Sequence, residues 1–99
     1  MSYFAVIYRY ATEGPLGAKL VEVRPAHRAW LVDQHQRGVV KLAGPMTGEE
    51  PRAGLLLVEA ADLEAANHLV DQDPVCQAGV VASREIRPWD QVCGPFETA

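Results

Sequence analysis

Hydrophobic residues in this chain fall into short, dense runs separated by polar stretches that contain glycine or proline. Four runs have the β-branched, aromatic and aliphatic composition of buried strands, and two stretches have helical spacing of their apolar positions. The predicted strands are residues 3–8, 39–43, 54–59 and 80–89. The predicted helices are residues 25–37 and a segment that follows Asp62.

Proline, glycine and aspartate define the ends of these elements. Residues 13–17 read Glu-Gly-Pro-Leu-Gly and predict a loop. Pro25 suits the first turn of the first helix because its missing N–H is not needed there, and Gly38 suits the C-terminal end of that helix. Asp62 is the predicted N-cap of the second helix, which ends before Pro74 because a residue preceding proline disfavours helical geometry. The apolar face predicted for that helix is Leu63, Ala66, Leu69 and Val70.

The resulting order, β-α-β-β-α-β, predicts an α+β fold of the ferredoxin-like type. Right-handed crossovers place both helices on the same face of one antiparallel sheet. Residues 1–99 are too few for more than one domain, so we expect a single domain with its core over residues 3–89. Residues 90–99 are expected to form an irregular tail.

The second face of the sheet is also apolar. Side chains alternate along a strand, and the helices can cover only one face of the sheet. In the first strand Phe4, Val6 and Tyr8 point one way and Tyr3, Ala5 and Ile7 the other, and in the third strand Leu55 and Leu57 oppose Leu56 and Val58. A monomer seldom exposes a contiguous apolar patch, which predicts a homodimer packed sheet to sheet. The alternative is that Trp89, Val92 and Phe96 of the C-terminal segment cover this face.

Charge and cysteine content exclude several classes of protein. The formal net charge is −4 and lysine and arginine are not clustered, which argues against binding of nucleic acid or an anionic membrane. The first strand begins almost at Met1, without a leader pattern, and the longest apolar run, residues 55–58, is too short to cross a bilayer. Cys76 and Cys93 are predicted to be reduced thiols of a cytoplasmic protein.

His27 and Asp73 are the candidate acid–base pair. His27 lies near the N-terminus of the predicted first helix, where the helix dipole disfavours an imidazolium, and shares a stripe with Leu31. A neutral histidine at a cleft edge can act as a general base, and Asp73 can orient it through a hydrogen bond. The alternatives are a core histidine bound to a backbone carbonyl and an aspartate that only forms a turn.

Other polar or conformationally special positions are candidates for substrate binding. They are Tyr8, Arg9, Trp30, Gly44, Pro45 and Ser83. Each also has a structural interpretation, as a strand residue, a core aromatic or a strand terminator. His27, His35 and His68 lack the spacing of metal ligands, and no phosphate-binding glycine loop occurs. We therefore expect neither a metal nor another cofactor.

Several short motifs together resemble the YciI-like (YCII-related) family. They are Arg24-Pro25-Ala26-His27, then Gly44-Pro45-Met46, then Asp73-Pro74-Val75, then Ala78-Gly79-Val80. The resemblance covers residues 3–89 and implies a ferredoxin-like fold assembled as a dimeric α+β barrel. It also implies an active-site histidine and aspartate at His27 and Asp73. One relative resembling this group is a dehydrochlorinase that acts on a chlorinated hydroxyhydroquinone, a substrate that fold likeness does not transfer.

The function predicted from these residues is cofactor-independent lyase or isomerase chemistry on a small unsaturated or aromatic compound. His27 would move the proton and Asp73 would hold its tautomer. One alternative is a non-catalytic ligand-binding or accessory dimerisation module. A second is a structural domain in which His27 and Asp73 form a buried polar pair.

Overall fold

The computed structural model describes residues 1–50 and 52–97, which form one four-stranded sheet and three helices. The elements are β1 (Ser2–Tyr10), α1 (Gly14–Gln36), β2 (Val40–Met46), β3 (Ala53–Ala60), α2 (Leu63–Asp71), α3 (Pro74–Gln77) and β4 (Val81–Trp89). The strand order is β2-β3-β1-β4 and every pairing is antiparallel. This is the ferredoxin-like α+β arrangement, and the fold prediction is confirmed.

The hydrophobic core lies between one face of the sheet and the helices. Phe4 pairs with Val58 and Val6 with Leu56 across β1 and β3, and all four side chains are buried. The helices contribute Leu20, Ala66, Val70 and Val75 to the same cluster. The structure thus places Leu56 and Val58 on the same face as Phe4 and Val6, and the predicted alternation along β1 and β3 is confirmed.

Helix α1 begins at Gly14 rather than at Pro25, so the loop predicted for residues 13–17 is wrong. Leu20 and Val23 extend the inward stripe of the helix toward its N-terminus, and their packing outweighs the helix-breaking tendency of Pro25. His27 consequently lies in the middle of α1. It is therefore remote from the N-terminal end of the helix dipole. The predicted end of α1 at Gly38 is confirmed by a φ of +78° there.

The cap of α2 follows the sequence prediction. The Asp62 side chain accepts a hydrogen bond from the Ala65 backbone N–H at 2.8 Å. Ala66 and Val70 are buried, but Leu63 of the predicted apolar face is 44% exposed. After α2 the chain turns and enters α3, with Asp73 as the N-cap residue of that short helix.

Strand β2 continues to Met46, through the Gly44-Pro45 step that was predicted to end it. Proline is tolerated because β2 is an edge strand, where one side of the backbone has no neighbouring strand to pair with.

The face of the sheet opposite the helices carries apolar side chains from β1, β2 and β3, together with Arg9 and the Lys41–Glu59 ion pair. Ala5 lies opposite Leu57 and Ile7 opposite Leu55. The edge-strand residues Leu42 and Met46 are 43% and 40% exposed. Strand β4 adds charged residues to this face, among them Glu85 and Arg87.

Residues 90–97 pack against that face at Tyr3. The Phe96 ring packs against Tyr3 with 5.9 Å between ring centroids, and Tyr3 also contacts Trp89. Val92 is 93% exposed. Within the described part of the chain, no helix has the length and apolar character that a bilayer crossing requires.

Candidate functional site

A cleft of about 730 Å³ lies between α1, the edge strand β2, the loop that follows β2, and β3. Apolar side chains of Leu20, Leu31 and Leu56 form part of its wall. The His27 ring lines the same cleft, although the residue is only 9% exposed. The arrangement gives a small ligand access to an imidazole that is otherwise enclosed by protein.

Asp73 lies behind His27 and is completely buried. Its Oδ1 is 2.7 Å from His27 Nδ1 and accepts a hydrogen bond from the Val75 backbone N–H at 3.2 Å. Its Oδ2 accepts a hydrogen bond from the Tyr8 hydroxyl at 3.1 Å. A buried carboxylate needs such partners, because an unpaired charge away from water is strongly destabilising.

The contact with Asp73 fixes the orientation of the His27 ring. A carboxylate can only accept hydrogen bonds, so Nδ1 carries the proton that joins the two side chains. In a neutral imidazole the other nitrogen, Nε2, then keeps its lone pair. The ring forms part of the cleft wall, and Nε2 is its remaining polar atom.

Tyr8 is held as a permanent hydrogen-bond donor in this cluster. Burial raises the pKa of the Tyr8 hydroxyl far above its ordinary value, and the neighbouring Asp73 charge raises it further. Burial also raises the pKa of the Cys76 thiol, whose Sγ lies 3.8 Å from Arg84 Nη1. Cys76 is therefore held as a thiol rather than as a nucleophilic thiolate.

The residues predicted to bind substrate do not all reach the cleft. Gly44 and Pro45 line it. Tyr8 lies behind the cleft, where its hydroxyl donates a hydrogen bond to Asp73. Trp30 packs against the hydrophobic core instead. Arg9 and Ser83 pair across β1 and β4, are exposed, and lie on the open face of the sheet. Strand alternation explains their position, because Arg9 points away from the face that carries Tyr8.

Three lining residues were not singled out from the sequence. Arg24 and Arg28 lie one helical turn apart on α1 and flank His27, and Tyr10 lies at the end of β1. The i, i+4 spacing of Arg24 and Arg28 indicates that both lie on one face of a helix, but only if the helix is predicted to begin before Pro25. The inward position of Tyr10 was a usable signal as well, because Tyr10 follows Val6 and Tyr8 in the alternation of faces along β1.

Tyr10 brings a second hydroxyl to the cleft wall. Burial raises its pKa to about 12, with the Asp73 charge adding to the rise and the Arg24 charge opposing it. Tyr10 is therefore a neutral O–H donor at ordinary pH. In residues 1–50 and 52–97, no group of three or more histidine, cysteine, aspartate or glutamate side chains is arranged to hold a metal ion.

The fold is similar to that of the 5-chloro-2-hydroxyhydroquinone dehydrochlorinase TftG from Burkholderia phenoliruptrix AC1100, solved in complex with 2,5-dihydroxybenzoquinone. The TM-score is 0.69 at 23% identity, over 88% of this chain and 93% of that one. At this identity the likeness shows the fold alone.

The sequence itself is similar to the protein YciI of Escherichia coli O6:H1 and to YciI of Shigella flexneri. Each relative is 35% identical to this chain, and the alignment covers 75% of this chain and 84% of the relative. A sequence profile of the YCII-related domain matches residues 2–90. The chain belongs to the YCII-related family.

Proposed function

We propose that this protein is a cofactor-independent enzyme that performs acid–base chemistry, as a lyase or an isomerase, on a small unsaturated or aromatic compound. The observation that carries the proposal is the 2.7 Å contact between His27 Nδ1 and the buried Asp73 carboxylate, at the wall of a cleft. Membership of the YCII-related family and the fold likeness to a dehydrochlorinase support a small-molecule enzyme.

In this mechanism His27 Nε2 accepts a proton from the substrate. The imidazolium that forms is stabilised by the Asp73 carboxylate, which Tyr8 and the Val75 N–H hold in place. In an isomerisation the same proton returns to another atom of the conjugated system. In an elimination the electron pair of the broken C–H or O–H bond expels a leaving group, and the proton is released to solvent. Neither route needs a second catalytic side chain.

The cleft has the size and lining for such a substrate. A volume of about 730 Å³ lies within the range of small-molecule pockets. Leu20, Leu31 and Leu56 provide an apolar surface for a ring, and the backbone at Gly44 and Pro45 borders the opposite side. A substituted hydroquinone or a conjugated carbonyl compound is therefore the class of substrate that we propose.

The proposal is tested by turnover of chlorinated hydroquinones and enolisable carbonyl compounds with wild type, His27→Gln and Asp73→Asn. Asparagine keeps the shape and can still accept from the Val75 N–H, but it removes the charge that stabilises an imidazolium. We expect kcat/KM to fall on the order of 10²–10⁴-fold in both variants. His68→Gln, at an exposed position of α2, is the matched control and should retain full activity.

A folded His27→Gln variant with wild-type turnover of any accepted compound contradicts the acid–base assignment. Binding without turnover by the wild-type protein favours a ligand-binding or accessory module instead. Circular dichroism of each variant separates loss of catalysis from loss of fold.

We also propose that the protein acts as a homodimer through the open face of its sheet, in the cytoplasm. The apolar residues of β1, β2 and β3 on that face support a second copy as the partner. The location is supported by Cys76 and Cys93, which are both free thiols.

A further inference from the structure

The cleft is more positively charged than the rest of the protein. Three arginines line it, Arg24, Arg28 and Arg52, against two glutamates, Glu49 and Glu50. The lining therefore has a formal charge of +1, whereas the whole chain has a net charge of −4. An excess of positive charge in a concave site attracts anionic ligands.

Arg24 and Arg28 differ from the other cleft arginine in their partners. Arg52 lies 3.9 Å from Glu50, and outside the cleft Arg37 and Arg84 form ion pairs at 3.0 Å and 2.7 Å. Arg24 and Arg28 have no acidic side chain within 4.0 Å among the residues that the structure describes. Arg24 is half-buried, and a half-buried guanidinium without a carboxylate is suited to pair with an anion that enters the cleft.

The position of these charges relative to His27 gives them a role. Arg24 is three residues before His27 and Arg28 is the next residue after it, so all three face the cleft from one side of α1. The Tyr10 hydroxyl is close enough to Arg24 for that charge to lower its pKa, and the hydroxyl remains protonated. Two cations and a neutral donor thus line the same cleft as the imidazole.

We propose that the cleft binds a conjugated organic anion whose negative charge lies on oxygen, a carboxylate or an ionised ring hydroxyl, through Arg24 and Arg28. Tyr10 donates a hydrogen bond to the same oxygen or to its neighbour. The inference deepens the proposed function, and rests on it for the statement that this ligand is the substrate. Charge on the substrate oxygen would place the ring between the arginines and the leucine surface, with a carbon atom facing His27 Nε2.

The test compares two probes of the same shape, benzoate and neutral benzamide, binding to the full-length protein. Affinities are measured by calorimetry, and the location by NMR shifts of cleft residues. We expect benzoate to bind more tightly than benzamide, with an affinity that falls as salt is added. Arg24→Gln should weaken benzoate on the order of tenfold and leave benzamide unchanged.

Arg24→Lys and Arg37→Gln are the controls. Lysine keeps the charge and should restore most of the benzoate affinity, which excludes a general loss of structure as the cause. Arg37 lies at the exposed end of α1, outside the cleft, so Arg37→Gln should bind both probes as wild type does. Equal affinity for the two probes, or benzoate binding that ignores Arg24→Gln, would overturn the inference.

These outcomes are separate from those of the acid–base proposal. Binding of benzoate does not need proton transfer, so His27→Gln should bind it while losing turnover. Arginine-dependent benzoate binding together with full turnover by His27→Gln would remove the catalytic role of His27 and leave the anion site standing. If His27→Gln loses turnover but the protein does not prefer benzoate to benzamide, the catalytic role of His27 stands and the anion site is removed.

Discussion

At the scale of single residues, the donors around Asp73 determine how much its burial destabilises the fold. Tyr8 supplies the hydrogen bond to Oδ2, at 3.1 Å, and is itself fully buried. We expect Tyr8→Phe to lower the free energy of unfolding by about 1–3 kcal/mol, because a buried carboxylate loses a donor. Urea denaturation measures the change.

Tyr10→Phe is the matched control for that substitution. The Tyr10 hydroxyl faces the cleft and has no hydrogen-bond partner in the part of the chain that the structure describes. Its removal should change the free energy of unfolding by less than about 0.5 kcal/mol. An equal loss in Tyr8→Phe and Tyr10→Phe would mean that the Asp73 contact contributes nothing specific.

The same tyrosines make the protein sensitive to alkali. An unfolded tyrosine ionises with a pKa of 10.0, whereas burial raises the pKa of Tyr8 above that value and that of Tyr10 to about 12. Above pH 10 the unfolded chain therefore binds fewer protons than the folded chain. Stability present below pH 10 is lost as the pH rises, by up to about 1.4 kcal/mol per pH unit for each tyrosine.

Denaturation at a series of pH values, with tyrosinate absorbance as a second signal, tests this dependence. Tyr8→Phe should flatten the alkaline decline, and Tyr8 should ionise only as the protein unfolds. Ionisation of all the tyrosines near pH 10 in a fully folded protein would contradict the burial argument.

At the residue scale, the structure brings together the two positions chosen from a motif, whereas strand alternation decides where other candidates lie. His27 and Asp73 were chosen together, and their side chains are in contact, although their catalytic role remains a proposal. Arg9 and Ser83 were chosen for their chemistry alone, and the alternation of β1 and β4 turns them to the other face. Arg24 was visible in the motif, but its place beside the cleft depended on an α1 that begins before Pro25.

At the scale of elements, strand positions were predictable and the start of α1 was not. The runs of β-branched and aromatic residues locate each strand to within a few residues, because sheet packing needs that composition. Residues 14–24 contain Gly14, Pro15 and Gly17, which local propensity assigns to a loop. Burial of Leu20 against the sheet stabilises a helix there instead. Local sequence propensity cannot predict that tertiary contact.

Gly17 illustrates the close packing at this helix start. A Cβ at that position would lie 2.5 Å from the Thr12 carbonyl oxygen, which is backbone and cannot move aside as a side-chain end would. Alanine normally stabilises a helix relative to glycine by about 1 kcal/mol. We expect Gly17→Ala to be destabilising despite this, by about 1–3 kcal/mol, as overpacking typically is.

Gly44→Ala is the control for the glycine substitution. A Cβ at Gly44 meets nothing within 4 Å, and the residue lies in a strand with ordinary backbone geometry. Its replacement should leave the free energy of unfolding unchanged or raise it by about 0.5–1 kcal/mol. A Gly17→Ala protein that is more stable than wild type in urea denaturation would show that the first turn of α1 relaxes freely.

At the scale of the whole molecule, one face of the sheet is covered by helices, whereas the opposite face has exposed apolar side chains on its edge strand β2. Phe96 packs on Tyr3 at one end, but Leu42 and Met46 remain 43% and 40% exposed. The opposite charges of Glu85 and Arg87 lie at the β4 side of this face, where a two-fold axis would let them pair between copies. These features favour self-association over a lone monomer.

Leu42→Asp tests the proposed homodimer directly. A carboxylate within an apolar interface is left unpaired in both copies, so we expect the variant to be monomeric at concentrations where the wild type sediments as a dimer. Leu63→Asp is the matched control, because Leu63 is 44% exposed on α2, away from the open face. A wild-type protein that sediments as a monomer, or a dimer that both variants retain, would mean that the apolar face of this sheet is not where two copies meet.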